Sequence, residues 1–278
     1  MRVSSALKAS RLAFILLFMV AVGGAANAAE PPAVKVTYLY DNTSAVAGTD
    51  AAWGFSALVE AHGKRVLFDT GGNAGVLRHN VAVLGVDLGR LDALVLSHEH
   101  SDHTNGIPAL GRRDGLAAFY PASANVTAPF MNMLQSAGMK ALPVTGMTQI
   151  APRIAVSHEI ASAVASEVAL VVDTDDGLVV LVGCAHPGPE TMLAQIHERT
   201  GRPVLMLVGG FHMSLAGPEA ISRTLADFKA LGVRYVGPTH CTGNAAIAAA
   251  RQAFGDGFVE GGVGTVVQAA PFKRETVR

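Results

Sequence analysis

Apolar positions along this chain fall in short runs broken by turns, and the length and make-up of the runs separate strands from helices. Val34 to Tyr40, Trp53 to Ala61, Lys64 to Phe68 and Ala93 to Leu96 are rich in branched or aromatic side chains and stop at turn-forming residues, so each reads as a strand. A helical stretch runs through His79 to Leu84. In the second half Val168 to Asp173 and Leu178 to Val182 read as strands. Pro189 to Thr200 then reads as a helix, with Pro at its start and Gly201 just past its end. Strand Val204 to Val208, helix Pro218 to Leu231, strand Tyr235 to Val236, helix Ala245 to Phe254 and a last strand near Val263 to Val267 follow. Two strand-helix-strand units in succession favour sheets covered by helices. With the strand-rich first half they predict an α/β fold of two sheets sandwiched between helical layers.

The first residues follow a different pattern. Arg2, Lys8 and Arg11 give a positive start, Leu12 to Val22 an apolar stretch, and Ala26-Asn27-Ala28 a small-residue cleavage site. Residues 1–28 are therefore expected to be a secretory signal peptide, and the chain to be exported, to the periplasm. Eleven apolar residues are short against the ~20 needed to span a bilayer, so no stable membrane anchor is expected after cleavage. Residues 29–278 are enough for one large domain with its own core, and no linker, low-complexity tract or repeat divides them. A net charge of −1 with no basic run argues against nucleic acid as a partner, because neutralising phosphates takes clustered Lys and Arg. A small-molecule substrate is expected instead. The sequence is silent on oligomeric state.

Chemistry concentrates after the apolar run Leu91 to Leu96. Four potential metal ligands follow within six residues: His98, His100, Asp102 and His103. His98 and His100 are two apart, so an extended backbone turns both rings the same way. Asp102 and His103 come where the chain must bend, and so can aim at a second ion. A solvated His-rich turn is the competing reading, but a metal site at a strand end is what the flanking apolar strand and Thr104-Asn105-Gly106 turn support. Asp69 ends another strand and suits an orienting role, hydrogen-bonded to the free ring nitrogen of a ligand His; a plain turn aspartate is the alternative. His212 follows Gly209-Gly210-Phe211 at a further strand end, where it can face an anionic or carbonyl group of a substrate. Asn42, Thr43 and Glu167 line the mouth or are ordinary surface. His62, His79, His158 and His197 lack ligand spacing and read as structural. Cys184 and Cys241, the two cysteines, sit beside His186 and His240; a disulfide between them and a place at a metal site both remain open.

The motif H-x-H-x-D-H after a strand resembles the signature of the metallo-β-lactamase superfamily. Leu67-Phe68-Asp69-Thr70-Gly71, Leu96-Ser97-His98, Gly183-Cys184-Ala185-His186-Pro187-Gly188, Gly209-Gly210-Phe211-His212 and Pro238-Thr239-His240-Cys241-Thr242-Gly243 are similar to one branch of it. That branch includes the archaeal dihydropterin ribofuranosylaminobenzene phosphate synthase and many metal-dependent hydrolases. The resemblance spans about Val36 to Val267 and implies a four-layer αββα sandwich holding two divalent metal ions, zinc first, with iron and manganese as alternatives. It implies that His186 completes a first site with His98 and His100, and that His240 closes a second with Asp102 and His103. Where the superfamily commonly places a bridging Asp, this chain has Cys184, either a thiolate at the ions or a small buried residue. The expected function is hydrolysis by a metal-activated water, with Asp102 taking a proton or orienting the nucleophile and His212 steadying the charged part of the substrate. Two alternatives stand beside it: a pterin-related ribosyl-phosphate transferase or synthase, and a non-catalytic metal-binding protein.

Overall fold

In the computed structural model the chain builds β1 (Val34–Tyr40), β2 (Ser56–Ala61), β3 (Lys64–Phe68), α1 (Ala74–Val83), β4 (Ala93–Val95), α2 (Ser101–Thr104), β5 (Ala117–Pro121), α3 (Ala128–Ser136) and β6 (Lys140–Val144). It continues through β7 (Thr148–Ala151), β8 (Ile154–Val156), β9 (Leu170–Thr174), β10 (Gly177–Val182), α4 (Pro189–Thr200), β11 (Val204–Gly210), α5 (Pro218–Ala230), β12 (Tyr235–Thr239), α6 (Asn244–Phe254), β13 (Thr265–Ala269) and β14 (Lys273–Thr276). The structure describes Met1 and residues 34–124, 127–269 and 273–276. Met1 apart, the expected signal peptide lies outside the described residues.

Two sheets result, ordered β14-β13-β1-β2-β3-β4-β5-β6 and β12-β11-β10-β9-β8-β7. All six residues of β10 are buried. Val179 and Leu181 face the space between the sheets, whereas Leu178, Val180 and Val182 face helices on the far side. Side chains alternate across a strand, so an unbroken apolar run marks a strand covered on both faces. The layer between the sheets joins Val36, Tyr38, Phe68 and Val95 to Val172, Leu181 and Val208. Outside the first sheet Leu58, Leu67 and Leu94 pack on Leu77 of α1 and Leu134 of α3. Outside the second, Leu207 packs with Met192 and Ile196 of α4 and Phe228 of α5. Burying each such side chain contributes roughly 1.5–3 kcal/mol. Helices, sheet, sheet and helices therefore stack as the expected α/β sandwich of four layers.

Several boundaries differ from the sequence reading. The expected strand from Trp53 starts at Ser56, because Trp53 is 61% exposed and Gly54 turns the chain at φ 140°. The helix expected from His79 begins at Ala74, where the Asn73 side chain caps the amides of Gly75 and Val76. The strand expected near Val263 to Val267 begins at Thr265 and is followed by β14, and β12 runs on to Thr239. Residues 117–156 carry a helix and four strands that the pattern did not show. Two of these, β6 and β7, are sheet edges with half-exposed residues, so they lack an apolar run, and Pro143 is tolerated at an edge.

What positions the site is direction. Strands β3 and β4 run parallel, as do β10, β11 and β12, so the carboxyl ends within each set emerge at one edge, where ligands bind in α/β sheets. The loop after β3 is pinned to α2: the amide and hydroxyl of Thr70 both donate to the His103 carbonyl, at 2.8 and 2.9 Å. Gly106 allows this approach, since a Cβ there would stand 1.8 Å from the Thr70 carbonyl oxygen. Gly106→Ala is expected to cost about 2–3 kcal/mol, which in a chain of this size lowers Tm by about 5–10 °C in thermal denaturation. Gly146→Ala, where an added Cβ meets nothing within 4 Å, is the comparison and leaves Tm within about 2 °C.

Candidate metal centre

The loops that leave these strand ends are sharply turned. Six described residues other than glycine have positive φ, and four of them lie here: Asp69 at 53°, Ala185 at 55°, His212 at 49° and His240 at 50°. Such backbone is held only where its surroundings over-determine it, and it clusters at functional sites. His98 and His100 follow β4, His100 in extended backbone, and Asp102 and His103 occupy the first turn of α2. Cys184 and His186 follow β10, His212 follows β11, and His240 opens a 3-10 turn after β12.

These loops bring the expected ligands together in two groups. In the first, the rings of His98, His100 and His186 pack with centroids 4.6 Å (98 to 100), 4.9 Å (98 to 186) and 4.9 Å (100 to 186) apart. In the second, Asp102 Oδ2 lies 3.2 Å from His240 Nε2 and 3.7 Å from His103 Nε2, and the two Nε2 atoms are 3.3 Å apart. Cys184 belongs to both. Its sulfur is 3.3 Å from His103 Nε2, and it lies within 4.8 Å of ligand atoms of Asp102, His103 and His240, and likewise of His98 and His186.

Four of the imidazoles are anchored through Nδ1, which leaves Nε2 to point inward. His103 Nδ1 donates to Asp69 Oδ2 at 2.7 Å. The Ser97 amide and hydroxyl donate to the two Asp69 oxygens, both at 2.7 Å; with its proton so used, the hydroxyl accepts from His98 Nδ1 at 2.9 Å. His186 Nδ1 donates to Glu167 Oε1 at 2.5 Å, while Glu167 also accepts from the amides of His186 and Ala185 at 2.9 and 3.0 Å. Asn42 Oδ1 accepts from His240 Nδ1 at 3.1 Å, and Asn42 Nδ2 donates to the His240 carbonyl at 3.0 Å.

Electrostatics agree with a cation site. His98 is fully buried and its Nε2 has no hydrogen-bond partner; a buried lone pair left unpaired is costly unless an ion takes it. Burial, and then the neighbouring imidazoles, hold His98 well below the usual histidine range, so it is neutral and able to ligate. Burial alone would raise the Asp102 carboxyl, but the neighbouring His240 and the charge of His103 outweigh it and keep Asp102 ionised. Burial alone would lower His103, yet Asp69 beside it prevails and lifts it to about 9. An ion must displace that proton, so uptake weakens as pH falls. The donor set of imidazole, carboxylate and thiol, with its outer hydrogen bonds in place, fits divalent transition metals.

Glu167 is neither mouth nor ordinary surface: it is fully buried beneath His186. Asn42 anchors His240, and Thr43 is exposed. His62, His79, His158 and His197 hydrogen-bond to Asp173, Gly48, Gln195 and Arg202, away from the centre. Cys184 and Cys241 are free, buried thiols. Hydrogen bonding from Cys184, and beyond that from His212, lowers the Cys241 thiol. The sequence reading gave no role to Ser97. The signal was Gly183, where a Cβ would stand 2.0 Å from Ser97 Oγ, but it becomes visible only once β4 and β10 are side by side. Trp53 lies outside β2, and its ring stands 4.7 Å from that of His240.

Known proteins resemble this chain in sequence and in fold. The 7,8-dihydropterin-6-methyl-4-(beta-D-ribofuranosyl)-aminobenzene-5'-phosphate synthase of Methanocaldococcus jannaschii is 26% identical over 230 residues, 66% of this chain and 78% of its own. The crystal structure of Tm1679, a metal-dependent hydrolase of the beta-lactamase superfamily, superposes with a TM-score of 0.72 at 26% identity, over 85% of this chain and 99% of that one. The metallo-beta-lactamase fold protein YhfI from Bacillus subtilis shares the fold at a TM-score of 0.59 and 18% identity, over 84% and 98% of the two chains. Residues 54–240 match the family described as the metallo-beta-lactamase superfamily. With the sandwich, the strand-end loops and that match over more than half its length, this chain belongs to the metallo-beta-lactamase superfamily.

Proposed function

We propose that this chain is a metal-dependent hydrolase acting on a small-molecule substrate. The observation that carries the proposal is the pair of ligand groups joined by Cys184, with four Nδ1 atoms anchored so that the Nε2 edges converge. Thiolate among imidazoles and a carboxylate suits zinc, or iron, better than manganese, which favours oxygen donors. When bound, such ions act as Lewis acids and lower the pKa of a water to about 7.

The chain's own groups supply the rest. Asp102 is ionised and its side chain is 21% exposed, so its carboxylate can accept a hydrogen bond from a nucleophile and orient it at the solvent side of the centre. His212 is exposed, with its ring 4.5 Å from that of His186. The hydrogen bond with Cys241 raises its affinity for a proton, which equips it to donate to an oxyanion or to the charged part of a substrate. Trp53 adds an exposed apolar face beside His240.

A ribosyl-phosphate synthase activity is the second reading, favoured by the archaeal relative, whose identity to this chain equals that of Tm1679. Export directed by residues 1–28, which we also propose, favours the hydrolase, because phosphorylated intermediates are made inside the cell.

Elemental analysis of protein purified without chelators is expected to find about two zinc equivalents per chain, and few or none in the His100→Ala, His186→Ala double variant; near zero in wild type after reconstitution would sink the reading. Glu167→Gln is expected to weaken zinc binding about 10–100-fold in a chelator competition, whereas wild-type affinity would mean that the carboxylate does not orient His186. On phosphoester, lactone and thioester probes, Asp102→Ala with its metal content verified is expected to lose about 10²–10⁴-fold in kcat/KM. Equal rates would leave Asp102 no catalytic role, and no turnover by the loaded wild type on any probe would favour a non-catalytic metal protein.

A further inference from the structure

His212 and Cys241 lie outside the two histidine-rich groups, yet with Cys184 they make a third. One ligand atom from each lies within 4.8 Å of those of the other two. Three loops converge to build it. The Gly210 amide donates to the Gly183 carbonyl at 3.0 Å, joining the end of β11, where the loop to His212 begins, to the loop after β10. The Phe211 amide donates to Thr242 Oγ1 at 3.0 Å, joining it to the turn after β12. Gly210 makes room for the sulfur, since a Cβ there would stand 2.7 Å from Cys241 Sγ. Cys241 Sγ in turn lies 3.7 Å from the Cys184 carbonyl oxygen. Both cysteines are buried, whereas His212 is exposed, so the group has two sulfurs inside and an imidazole at the solvent side.

This donor chemistry differs from that of its neighbours. The two histidine-rich groups combine imidazole and carboxylate with the one shared sulfur, a set for divalent ions of borderline softness. Two thiolates and one imidazole form a soft, three-donor set, which selects Cu(I), an ion content with few ligands, over ions that seek oxygen. Zinc in a site of this kind seeks a fourth ligand. We propose that Cys184, Cys241 and His212 bind one Cu(I) ion, with the Cys184 thiolate shared between this site and the histidine-rich centre. The two thiols give up their protons as the ion enters, and no change of oxidation state is involved.

The test uses the full chain under anaerobic conditions, with zinc first supplied to saturation and then Cu(I) delivered from a competing chelator. Wild type is expected to take up one equivalent, and copper X-ray absorption is expected to show two sulfur scatterers and one nitrogen. Cys241→Ser is expected to keep its zinc, because Cys241 is in neither histidine-rich group, and to lose at least ~100-fold in Cu(I) affinity. His212→Ala is expected to lose the nitrogen scatterer. Unchanged affinity in Cys241→Ser, or fewer than two sulfurs around copper in wild type, overturns the proposal. The wild-type spectrum decides the matter even where a variant fails to fold.

Discussion

Much of the centre depends on one buried carboxylate. Asp69 reaches His103 directly and His98 through the Ser97 hydroxyl, so it sets a ring in each of the two ligand groups. Its backbone is held as firmly: its carbonyl accepts from Ser56 and its amide donates to the Val95 carbonyl, tying β2, β3 and β4 into one frame. Burial raises its pKa against the opposing pull of His103 and Ser97. An ion in the interior is tolerated when its lone pairs are filled and its partners are close. Asp69 meets both conditions because Gly183 leaves room for Ser97.

Cys184 is the second point of convergence. A ligand shared by two groups fixes their separation, and here it is one side chain at the end of β10 rather than a matter of how two domains meet. The sulfur lies against His103 Nε2 and near the ligand atoms of His98, His186, His212 and Cys241. Chemistry and sheet geometry are therefore coupled: the register of β10 against β11 sets where the sulfur stands relative to His212, and that of β11 against β12 sets where His240 stands.

What the sequence revealed follows the range of each interaction. His98, His100, Asp102 and His103 could be read directly because their geometry is local, four ligands on one strand end and one helical turn. The strands with unbroken apolar runs were equally plain, since both of their faces are buried. Glu167 has no local signal because it acts 19 residues away from its partner, in a segment outside any strand that is joined to Ile160 by an isolated bridge. Asn42 is 198 residues from His240, and no spacing rule reaches that far. The edge strands β6 and β7 were missed for the opposite reason: half of their surface faces water, so their composition resembles that of loops.

The four left-handed residues at the strand ends carry one more consequence. Asp69, Ala185, His212 and His240 are held in that backbone by hydrogen bonds and packing within the protein, and the rings are anchored by Asp69, Ser97, Glu167 and Asn42. Four of the six ligand rings and carboxylates are therefore oriented by the protein's own hydrogen bonds. In small zinc modules the ion's binding energy is spent on folding the chain. Here a buried core between and outside the two sheets supplies the folding energy, so a substitution at a ligand is expected to change metal affinity more than it changes the fold.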